Sequence, residues 1–353
     1  MRFIVQLRHT GLTIKHALYY INKQGVSQVE IRSKILDILE ENREAHISGN
    51  DIARELSISR NAVWKAVKSL RVDGYEISAS TKKGYRLGSS GDILSAAGIT
   101  KRLKTEGVFI VEVIGSVSST NTVMRELAVK GMPEGYVLAA DGQTAGKGRQ
   151  GRGFHSPSGH GAYFSVLLRP GPITGDPVLI TSAAAVAAAR AIEDAYDVKV
   201  GIKWVNDLMV GSMKVGGILT EAVFCMNSNV VETAVLGIGV NITRPKEGFP
   251  KSLEGIAASL ADRSEGRNYE RCRLIAATLD YFWGYYQNLE AREFLNEYRA
   301  RSVVLGQYVD VVKGGSSRAA RAISIDDDCG LVVQYGDGES ETLSSGEVGI
   351  KAV

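Results

Sequence analysis

Glycines alternate with cationic side chains in one stretch of the sequence, GQTAGKGRQGRGF at residues 142–154, directly after a predicted strand. Glycine lets backbone N–H groups approach a phosphate closely, and interspersed lysines and arginines neutralise the negative charge that builds up during group transfer. The pattern therefore predicts an anion-binding loop that becomes ordered when its ligand arrives. Composition alone fits a basic flexible linker or an RNA-binding segment equally well.

A second group of polar residues lies downstream, where KWVND at residues 203–207 ends a predicted strand and KVGG follows at residues 214–217. If Lys203 and Lys214 both point inward, they can hold a substrate carboxylate and an α-phosphate, while Asn206 or Asp207 orients an amine or a metal ion. A lone Lys-Trp pair is more often a strand end whose lysine reaches back to water. The other motifs of the sequence are needed to distinguish between these two interpretations.

Metal-binding patterns are weak in this sequence. His155 and His160 flank SPSG without a third ligand, and Cys225, Cys272 and Cys329 lie far apart. An odd number of dispersed cysteines fits a reduced cytoplasm better than a disulfide scaffold. We therefore expect a cytoplasmic protein that by itself holds no metal ion.

The bulk composition is that of a folded, multidomain protein. The 353 residues are 44% hydrophobic and 23% charged, and their net charge is only +3. No apolar run reaches the roughly 18 residues that a membrane span needs. Because the net charge is small, any attraction to nucleic acid must come from locally clustered cations.

Such a cluster lies near the N-terminus, in a predicted winged helix-turn-helix domain at residues 29–88. Apolar spacing predicts helices at 31–41, 51–56 and 60–72 and a two-stranded wing at 75–77 and 85–87. Residues 57–88 contain seven basic and two acidic side chains.

The second helix of such a motif enters the major groove, so this half of the domain is predicted to bind DNA. The candidate contacts are Arg60, Asn61, Lys65, Lys68, Lys82 and Lys83. The alternative is an ordinary solvated helix face.

The first 28 residues fit neither a signal peptide nor the domain that follows. They contain Arg2, Arg8, Lys15 and Lys23, but no small-residue cleavage site follows an apolar core. We expect this extension to be disordered or to precede the native start of translation, at Val26 or Val29.

A Gly- and Ser-rich hinge at residues 88–92 separates this domain from an α+β pattern. In residues 93–301, long helices at 177–196, 269–289 and 292–300 mix with closely spaced strands, which favours a mixed or mainly antiparallel sheet over a doubly wound one. Residues 302–353 contain short strand candidates at 308–312, 322–325, 331–334, 341–343 and 348–350. This last piece is predicted to be a small β-barrel that docks on the central domain.

Five short motifs occur in one order along the chain: STN at 119–121, the glycine-rich loop, KWVND, KVGG and GIGVN at 237–241. In this order and at these spacings the chain closely resembles the biotin protein ligases from about Ile31 to the C-terminus. The predicted winged helix makes it similar to the bifunctional subgroup, the biotin operon repressors. The resemblance implies a ligase domain like that of class II synthetases and an SH3-like C-terminal barrel.

The resemblance also implies a role for each matching residue. Biotin would be bound by Ser119, Thr120, Asn121, Gln143, Lys147, Gly148, Arg149 and Lys214. ATP would be bound by Lys147, Arg149, Arg152, Phe154, Asn206 and Asn241, and the catalytic residues would be Lys203, Asp207, Lys214 and Arg149.

The implied reaction joins biotin to an acceptor lysine of a biotin carboxyl carrier protein. The biotin carboxylate attacks the α-phosphate of ATP, which is used with Mg²⁺, and the resulting biotinyl-5′-AMP is then attacked by the lysine. In this subgroup the adenylate also acts as corepressor of a homodimer that binds operator DNA. Two alternatives remain: a biotin sensor that does not transfer its ligand, and a lipoate ligase.

This chain departs from the family pattern at several positions. The family usually has an acid where this chain has Ser118, proline at Val205, and often arginine at Lys147 and Gln150. Lysine keeps the charge of arginine but loses its bidentate fork, so ligand affinity is expected to be weaker. Phe154 stands where tryptophan is frequent and offers a smaller apolar contact.

Overall fold

A computed structural model describes residues 28–42, 45–72, 75–80, 83–88, 92–170, 176–224, 231–264, 270–313, 316–344 and 347–350. The expectation for the N-terminal extension and the DNA-contact prediction for Lys82 lie outside these residues. The chain divides into two compact units, Met1–Gly91 and Asp92–Val353.

The N-terminal unit contains three helices followed by a hairpin. The helices are α1 (Gln28–Glu41), α2 (Gly49–Glu55) and α3 (Arg60–Val72), and the hairpin strands are β1 (Ile77–Ser80) and β2 (Gly84–Leu87). Ser48 caps α2 by accepting a hydrogen bond from the Asp51 N–H, and the Ser59 hydroxyl accepts one from the Ala62 N–H. The predicted helix-turn-helix with a two-stranded wing is confirmed, although the strands lie a few residues from their predicted positions.

The second unit is built on a seven-stranded mixed sheet. Its strands are β3 (Ile110–Val117), β4 (Tyr136–Gln143), β5 (Gly161–Leu168), β6 (Gly201–Lys203), β7 (Asp207–Val210), β8 (Met213–Phe224) and β9 (Val231–Asn241). They are arranged in the order β3-β4-β5-β9-β8-β7-β6. Only the β3–β4 pair is parallel, and the other described pairs are antiparallel. The predicted mixed sheet is therefore confirmed.

The described helices of this unit pack on the sheet or on one another and bury hydrophobic side chains in two separate clusters. The helices are α4 (Ala96–Thr100), α5 (Thr120–Val129), α6 (Pro177–Ala195), α7 (Arg271–Tyr286) and α8 (Leu295–Ala300). The alanine-rich α6 is buried along most of its length, because small side chains let it approach the sheet and α7 closely. Helix α5 was not predicted, and it supplies the crossover that the parallel strands β3 and β4 require. Helix α8 begins at Leu295 rather than at 292, after a 3₁₀ turn at Leu289–Ala291.

Five antiparallel strands form a second sheet at the C-terminal end. They are β10 (Tyr308–Lys313), β11 (Ser316–Ile325), β12 (Leu331–Tyr335), β13 (Ser340–Leu343) and β14 (Glu347–Ile350), in the order β13-β12-β11-β10-β14. Strand β11 begins six residues earlier than predicted, because its pairing with β10 extends to Ser316 opposite Lys313. The buried side chains of the C-terminal sheet belong to the same hydrophobic core as those of the seven-stranded sheet. The Trp204 indole also donates a hydrogen bond to the Cys329 carbonyl at 2.9 Å. In the described residues this sheet is open, with β13 and β14 at its edges, so the predicted antiparallel strands are confirmed but the closed barrel is not.

In the residues that the structure describes, no helix has both the length and the apolar character required to cross a bilayer.

Candidate active site

The parallel pair β3–β4 brings two of the sequence motifs together. Val117 at the end of β3 pairs with Gln143 at the end of β4. Ser119 follows as the N-cap of α5, and the glycine-rich loop begins where β4 ends. Because the carboxyl ends of parallel strands lie at the same sheet edge, residues 119–121 lie beside Gln143.

These residues form a buried polar network. The Thr120 N–H donates to Gln143 Oε1 at 2.8 Å, and the Ser165 hydroxyl lies 2.7 Å from both Thr120 Oγ1 and Asn121 Oδ1. Gln143 Nε2 in turn donates to the Ser156 hydroxyl at 2.8 Å. Ser119, Thr120, Asn121 and Ser165 are each less than 5% exposed. Buried hydrogen bonds of this kind fix side-chain orientation, so the network is a rigid polar wall.

Two glycines of β9 make room for this wall. A Cβ at Gly237 would lie 2.1 Å from Asn121 Oδ1, and one at Gly239 would lie 2.6 Å from the Phe154 ring. Phe154 also meets Tyr163 edge-on, with ring centroids 6.3 Å apart. The GIGVN motif therefore serves close packing of the residues around the candidate site.

The glycine-rich loop folds back on itself above the end of β4. The Phe154 N–H donates to the Gly146 carbonyl at 2.8 Å, and the Gly148 N–H donates to the Arg152 carbonyl at 2.7 Å. A Cβ at Gly146 would lie 2.4 Å from the Phe154 oxygen, so glycine is required there. Lys147 and Arg152 are exposed, whereas Arg149 is half-buried. The backbone of the loop is thus tightly turned, while its outer cations face solvent.

Arg149 connects the loop to the second motif. Its Nη1 donates to Asn206 Oδ1 at 3.1 Å, and Asn206 Nδ2 donates to the Ile218 carbonyl at 2.9 Å. These bonds place the loop beside the β6–β7 turn. Two candidate residues far apart in the sequence are thereby brought into direct contact.

The predicted lysine cluster lies on the β6–β7–β8 edge of the sheet. Lys214 Nζ lies 2.6 Å from Asp207 Oδ1, with the two side chains 29% and 23% exposed. The Lys214 side chain runs over Gly217, where a Cβ would lie 3.3 Å from Lys214 Cε. Lys203 pairs with Asp207 across the hairpin and is half-buried. The ion pair holds the Lys214 ammonium group at this edge of the sheet, and Asp207 orients it.

The peptide bond between the two residues that follow Lys203, Trp204 and Val205, is cis. Both are buried, and the Val205 carbonyl accepts a hydrogen bond from the Tyr298 hydroxyl at 3.0 Å. Both α8 and the C-terminal sheet therefore hold this turn in place. These contacts fix the positions of the adjoining Lys203 and Asn206.

Asn241 lies at the end of β9, opposite Gly161. Its buried amide donates to the Ala258 carbonyl at 3.3 Å, which joins the strand end to the segment that also pairs with Lys214. In this structure Asn241 links backbone elements around the candidate site.

Three residues of the network escaped sequence reasoning. Ser165 and Ser156 hold Thr120 and Gln143, and the Glu221 carboxylate accepts a hydrogen bond from Asn121 Nδ2 at 2.8 Å. Glu221 also forms an ion pair with Arg125 at 3.4 Å. Ser165 had one available signal, since it is the only small polar side chain in the mainly apolar strand GAYFSVLL.

A buried ion cluster lies beside the last residues of β4, directly before the loop. Arg271, whose side chain is 4% exposed, donates to Asp92 at 2.5 Å and to Asp141 at 2.5 Å. Burial alone would lower the pKa of Arg271, but the two carboxylates raise it above its ordinary value. Asp141 also accepts a hydrogen bond from the Ser158 hydroxyl. Because breaking one partner of a buried pair costs about 3–5 kcal/mol, this cluster fixes β4 relative to α7.

His160 lies beside this cluster. Its Nδ1 is 3.0 Å from the Thr243 hydroxyl. Burial, followed by the charge of Arg271, lowers the pKa of His160 below its ordinary value. In the part of the chain that the structure describes, no group of acids, histidines and cysteines is arranged to hold a metal ion.

In the N-terminal unit, the candidate DNA contacts of α3 share one exposed face. Arg60, Asn61, Lys65 and Lys68 are all exposed, while Val63, Ala66, Val67 and Leu70 are buried. Lys83 is exposed at the start of the second wing strand. The cations therefore point away from the small core, as a nucleic-acid interface requires.

The fold and the site define a two-part protein, a helix-turn-helix unit with a unit of the biotin and lipoate ligase class. Residues 113–241 match the Biotin/lipoate A/B protein ligase family, and residues 31–86 match the HTH domain family. The bifunctional ligase/repressor BirA of Bacillus subtilis is 34% identical over 322 residues, which cover 89% of this chain and 97% of that protein. The chain belongs to the biotin protein ligase family, in the bifunctional ligase/repressor group.

Other relatives share part of this arrangement. The biotin–[acetyl-CoA-carboxylase] ligase of Mycobacterium tuberculosis is 30% identical over 259 residues, which cover 67% of this chain and 88% of that protein. The solved structure of the Aquifex aeolicus biotin protein ligase in complex with biotin and ATP superposes with a TM-score of 0.59 at 21% identity. It covers 69% of this chain and 99% of the Aquifex chain, and at this identity it establishes the shared fold alone.

Proposed function

We propose that this protein is an ATP-dependent biotin ligase and a transcriptional repressor of biotin genes. The observation that carries the proposal is the direct link between the two halves of the site. The buried Thr120–Gln143 network leads into the glycine-rich loop, and Arg149 of that loop bonds to Asn206 beside the Lys214–Asp207 pair. A buried polar wall thus lies next to a cationic centre.

Biotin is a neutral ring system with one carboxylate, and this arrangement suits both ends. We assign its binding to Ser119, Thr120, Asn121 and Gln143, together with Lys147, Gly148, Arg149 and Lys214. Hydroxyl and amide groups both donate and accept hydrogen bonds, so they suit uncharged polar groups of a ligand. The fixed ammonium of Lys214 suits the carboxylate.

In the first half-reaction the carboxylate oxygen forms a bond to the α-phosphorus of ATP, and the bond to the pyrophosphate oxygen breaks. We assign Lys203, Lys214 and Arg149 to stabilise the charge that develops, because preorganised cations are worth most where charge appears. Asp207 positions Lys214. Lys147, Arg152, Phe154, Asn206 and Asn241 are assigned to nucleotide binding.

In the second half-reaction the uncharged ε-amine of an acceptor lysine attacks the carbonyl carbon of biotinyl-5′-AMP, and AMP leaves with the bonding electron pair. The acceptor is proposed to be a biotin carboxyl carrier protein or domain. Closure of the loop would exclude water and protect the mixed anhydride from hydrolysis.

Mg²⁺ is proposed to enter with ATP. Asp207 is a carboxylate beside the cationic centre, which fits an ion held mainly by phosphate oxygens. When bound, the ion would neutralise phosphate charge.

Repression is proposed to use biotinyl-5′-AMP as corepressor of a homodimer that binds a palindromic operator in the cytoplasm. The adenylate favours the dimer only if it binds the dimeric form more tightly. Sedimentation velocity with biotin and ATP should show a gain in dimer, and an unchanged monomer would refute this part. We also propose domain boundaries at 29–88, 93–301 and 302–353, a class II synthetase-like central domain, and a small SH3-like β-barrel at the C-terminal end.

Biotin-dependent exchange of pyrophosphate into ATP tests the catalytic proposal. Exchange that requires biotin supports it, whereas no exchange would indicate a sensor and exchange with lipoate would indicate a lipoate ligase. The double substitution Lys65→Ala and Lys68→Ala should spare exchange and weaken operator binding. Loss of both activities in that variant would argue against separate sites.

A further inference from the structure

Trp64 occupies the centre of the exposed face of α3. It is 52% exposed, whereas the other apolar residues nearby on the helix, Val63 and Val67, are buried. At helical spacing, Asn61, Lys65 and Lys68 surround it. More than half of its surface therefore faces solvent on the basic face of the helix.

The contacts of Trp64 fit a nucleic acid better than an apolar protein surface. The Lys68 ammonium lies 5.4 Å from the centre of the indole ring, so a cation accompanies the apolar surface. Interface cores between proteins are depleted in lysine, whereas lysines next to an apolar side chain match phosphates beside base edges. The charge around Trp64 thus selects DNA as the occupant.

The position of Trp64 also decides what it would touch. The second helix of a helix-turn-helix lies in the major groove, and side chains on its exposed face reach base edges. The apolar feature of that groove is the C5-methyl group of thymine, and apolar side chains recognise it by contact. A flat indole offers a large surface for this contact.

We propose that Trp64 is a base-reading residue whose indole packs on the C5-methyl group of a thymine in each operator half-site, while Lys65 and Lys68 bind the flanking phosphates. This inference rests on the proposed repressor function. It assigns a sequence-specific contact to a residue that lies among the predicted DNA-binding cations but was not itself predicted from the sequence.

The test begins with the full-length protein, biotin and ATP. Bound duplexes are selected from a random library, and each thymine of the enriched sequence is then replaced by uracil, which removes only the methyl group. We expect one position per half-site at which uracil weakens binding about four-fold, the value of one buried methyl group. If no thymine of the enriched sequence is sensitive to uracil, the inference is wrong.

Variants locate the effect. Trp64→Ala should weaken binding about ten-fold and abolish the difference between thymine and uracil at that position. Lys65→Ala is the matched control on the same face: it should weaken all duplexes about equally, reduce the salt dependence, and keep the uracil effect. Far-UV circular dichroism checks that both variants fold. A Trp64→Ala protein that keeps the uracil effect would overturn the assignment.

The outcome also separates this inference from the repressor proposal. If the wild-type protein enriches no sequence, the repressor proposal fails and the inference fails with it. If a sequence is enriched and Trp64→Ala reads it unchanged, only the inference fails.

Discussion

The buried polar wall, where we place the biotin pocket, and the glycine-rich loop of the candidate site are built in opposite ways. In the pocket, Thr120, Asn121 and Ser165 are 4%, 3% and 0% exposed and are joined by hydrogen bonds. In the loop, Lys147 and Arg152 are exposed, and the described hydrogen bonds that shape it are mainly between backbone groups. The side chains of the first region are joined to one another, whereas the loop is shaped mainly by its backbone, with the Arg149 side chain bonded to Asn206.

The difference follows from what each region is proposed to bind. A neutral ring gains little from long-range attraction, so its affinity depends on polar groups that are already oriented. A triphosphate attracts cations over several ångströms, so exposed lysines and arginines can assemble around it. Substitutions should therefore affect biotin binding in the pocket and nucleotide use in the loop.

The largest expected effect comes from Lys214, where the two regions meet. Lys214→Ala should lower the rate of biotin-dependent pyrophosphate exchange by about 10²–10³-fold, because one preorganised charge at the reacting phosphate is removed. The fold should survive, since the Lys214–Asp207 pair is partly exposed and contributes little to stability.

Lys130→Ala is the matched control for Lys214, because Lys130 is an exposed lysine at the end of α5. It should leave pyrophosphate exchange unchanged. Near-normal exchange by Lys214→Ala would show that the cationic centre lies elsewhere.

The next effect tests whether the pocket is rigid. Gly237→Ala places a Cβ 2.1 Å from Asn121 Oδ1, so the amide must move. Overpacking of this kind costs about 1–3 kcal/mol, and we expect biotin to bind about 10- to 100-fold more weakly in calorimetry without nucleotide.

Gly284→Ala provides the control substitution. Gly284 lies inside α7 with open space around it, and alanine there should stabilise the helix by about 0.5–1 kcal/mol without changing biotin affinity. If Gly237→Ala binds biotin normally, the pocket adapts and the contrast with the loop disappears.

Sequence patterns marked the position of the glycine-rich loop, whereas they did not show which side chains meet in the polar wall. Alternating Gly and Lys or Arg is a local signal, and so is the periodicity that predicted α3 and α6. The pocket instead depends on Ser165 and Glu221, which meet Asn121 only through the pairing of β5, β9 and β8. Such long-range contacts leave no trace in spacing, and the crossover helix α5 was missed because its polar start hides its apolar face.

A smaller effect is expected in the loop. Arg152→Ala should raise the KM for ATP about ten-fold and leave the dissociation constant for biotin unchanged, because a charge-assisted hydrogen bond to phosphate is worth about 1.5–3 kcal/mol. Arg263→Ala, an exposed arginine after the 3₁₀ turn at Leu260–Asp262, should change neither value. Equal losses for biotin and ATP in Arg152→Ala would contradict the division of labour.

The smallest effect concerns His160, which lies between the two regions beside Arg271 and Asp141. Its pKa is lowered by burial and by the charge of Arg271. The unfolded chain therefore binds a proton at a higher pH than the folded chain does. The contribution of His160 to the free energy of unfolding is complete above pH 6.5 and is lost as the pH falls from 6.5 through the lower pKa of the folded protein. The loss should stay below about 1 kcal/mol because His160 is only partly buried.

His160→Gln should flatten the dependence of the unfolding free energy on pH between about 7 and 5. An NMR titration that places the imidazole of His160 at or above its ordinary pKa would show that the cluster around Arg271 does not reach this part of the site.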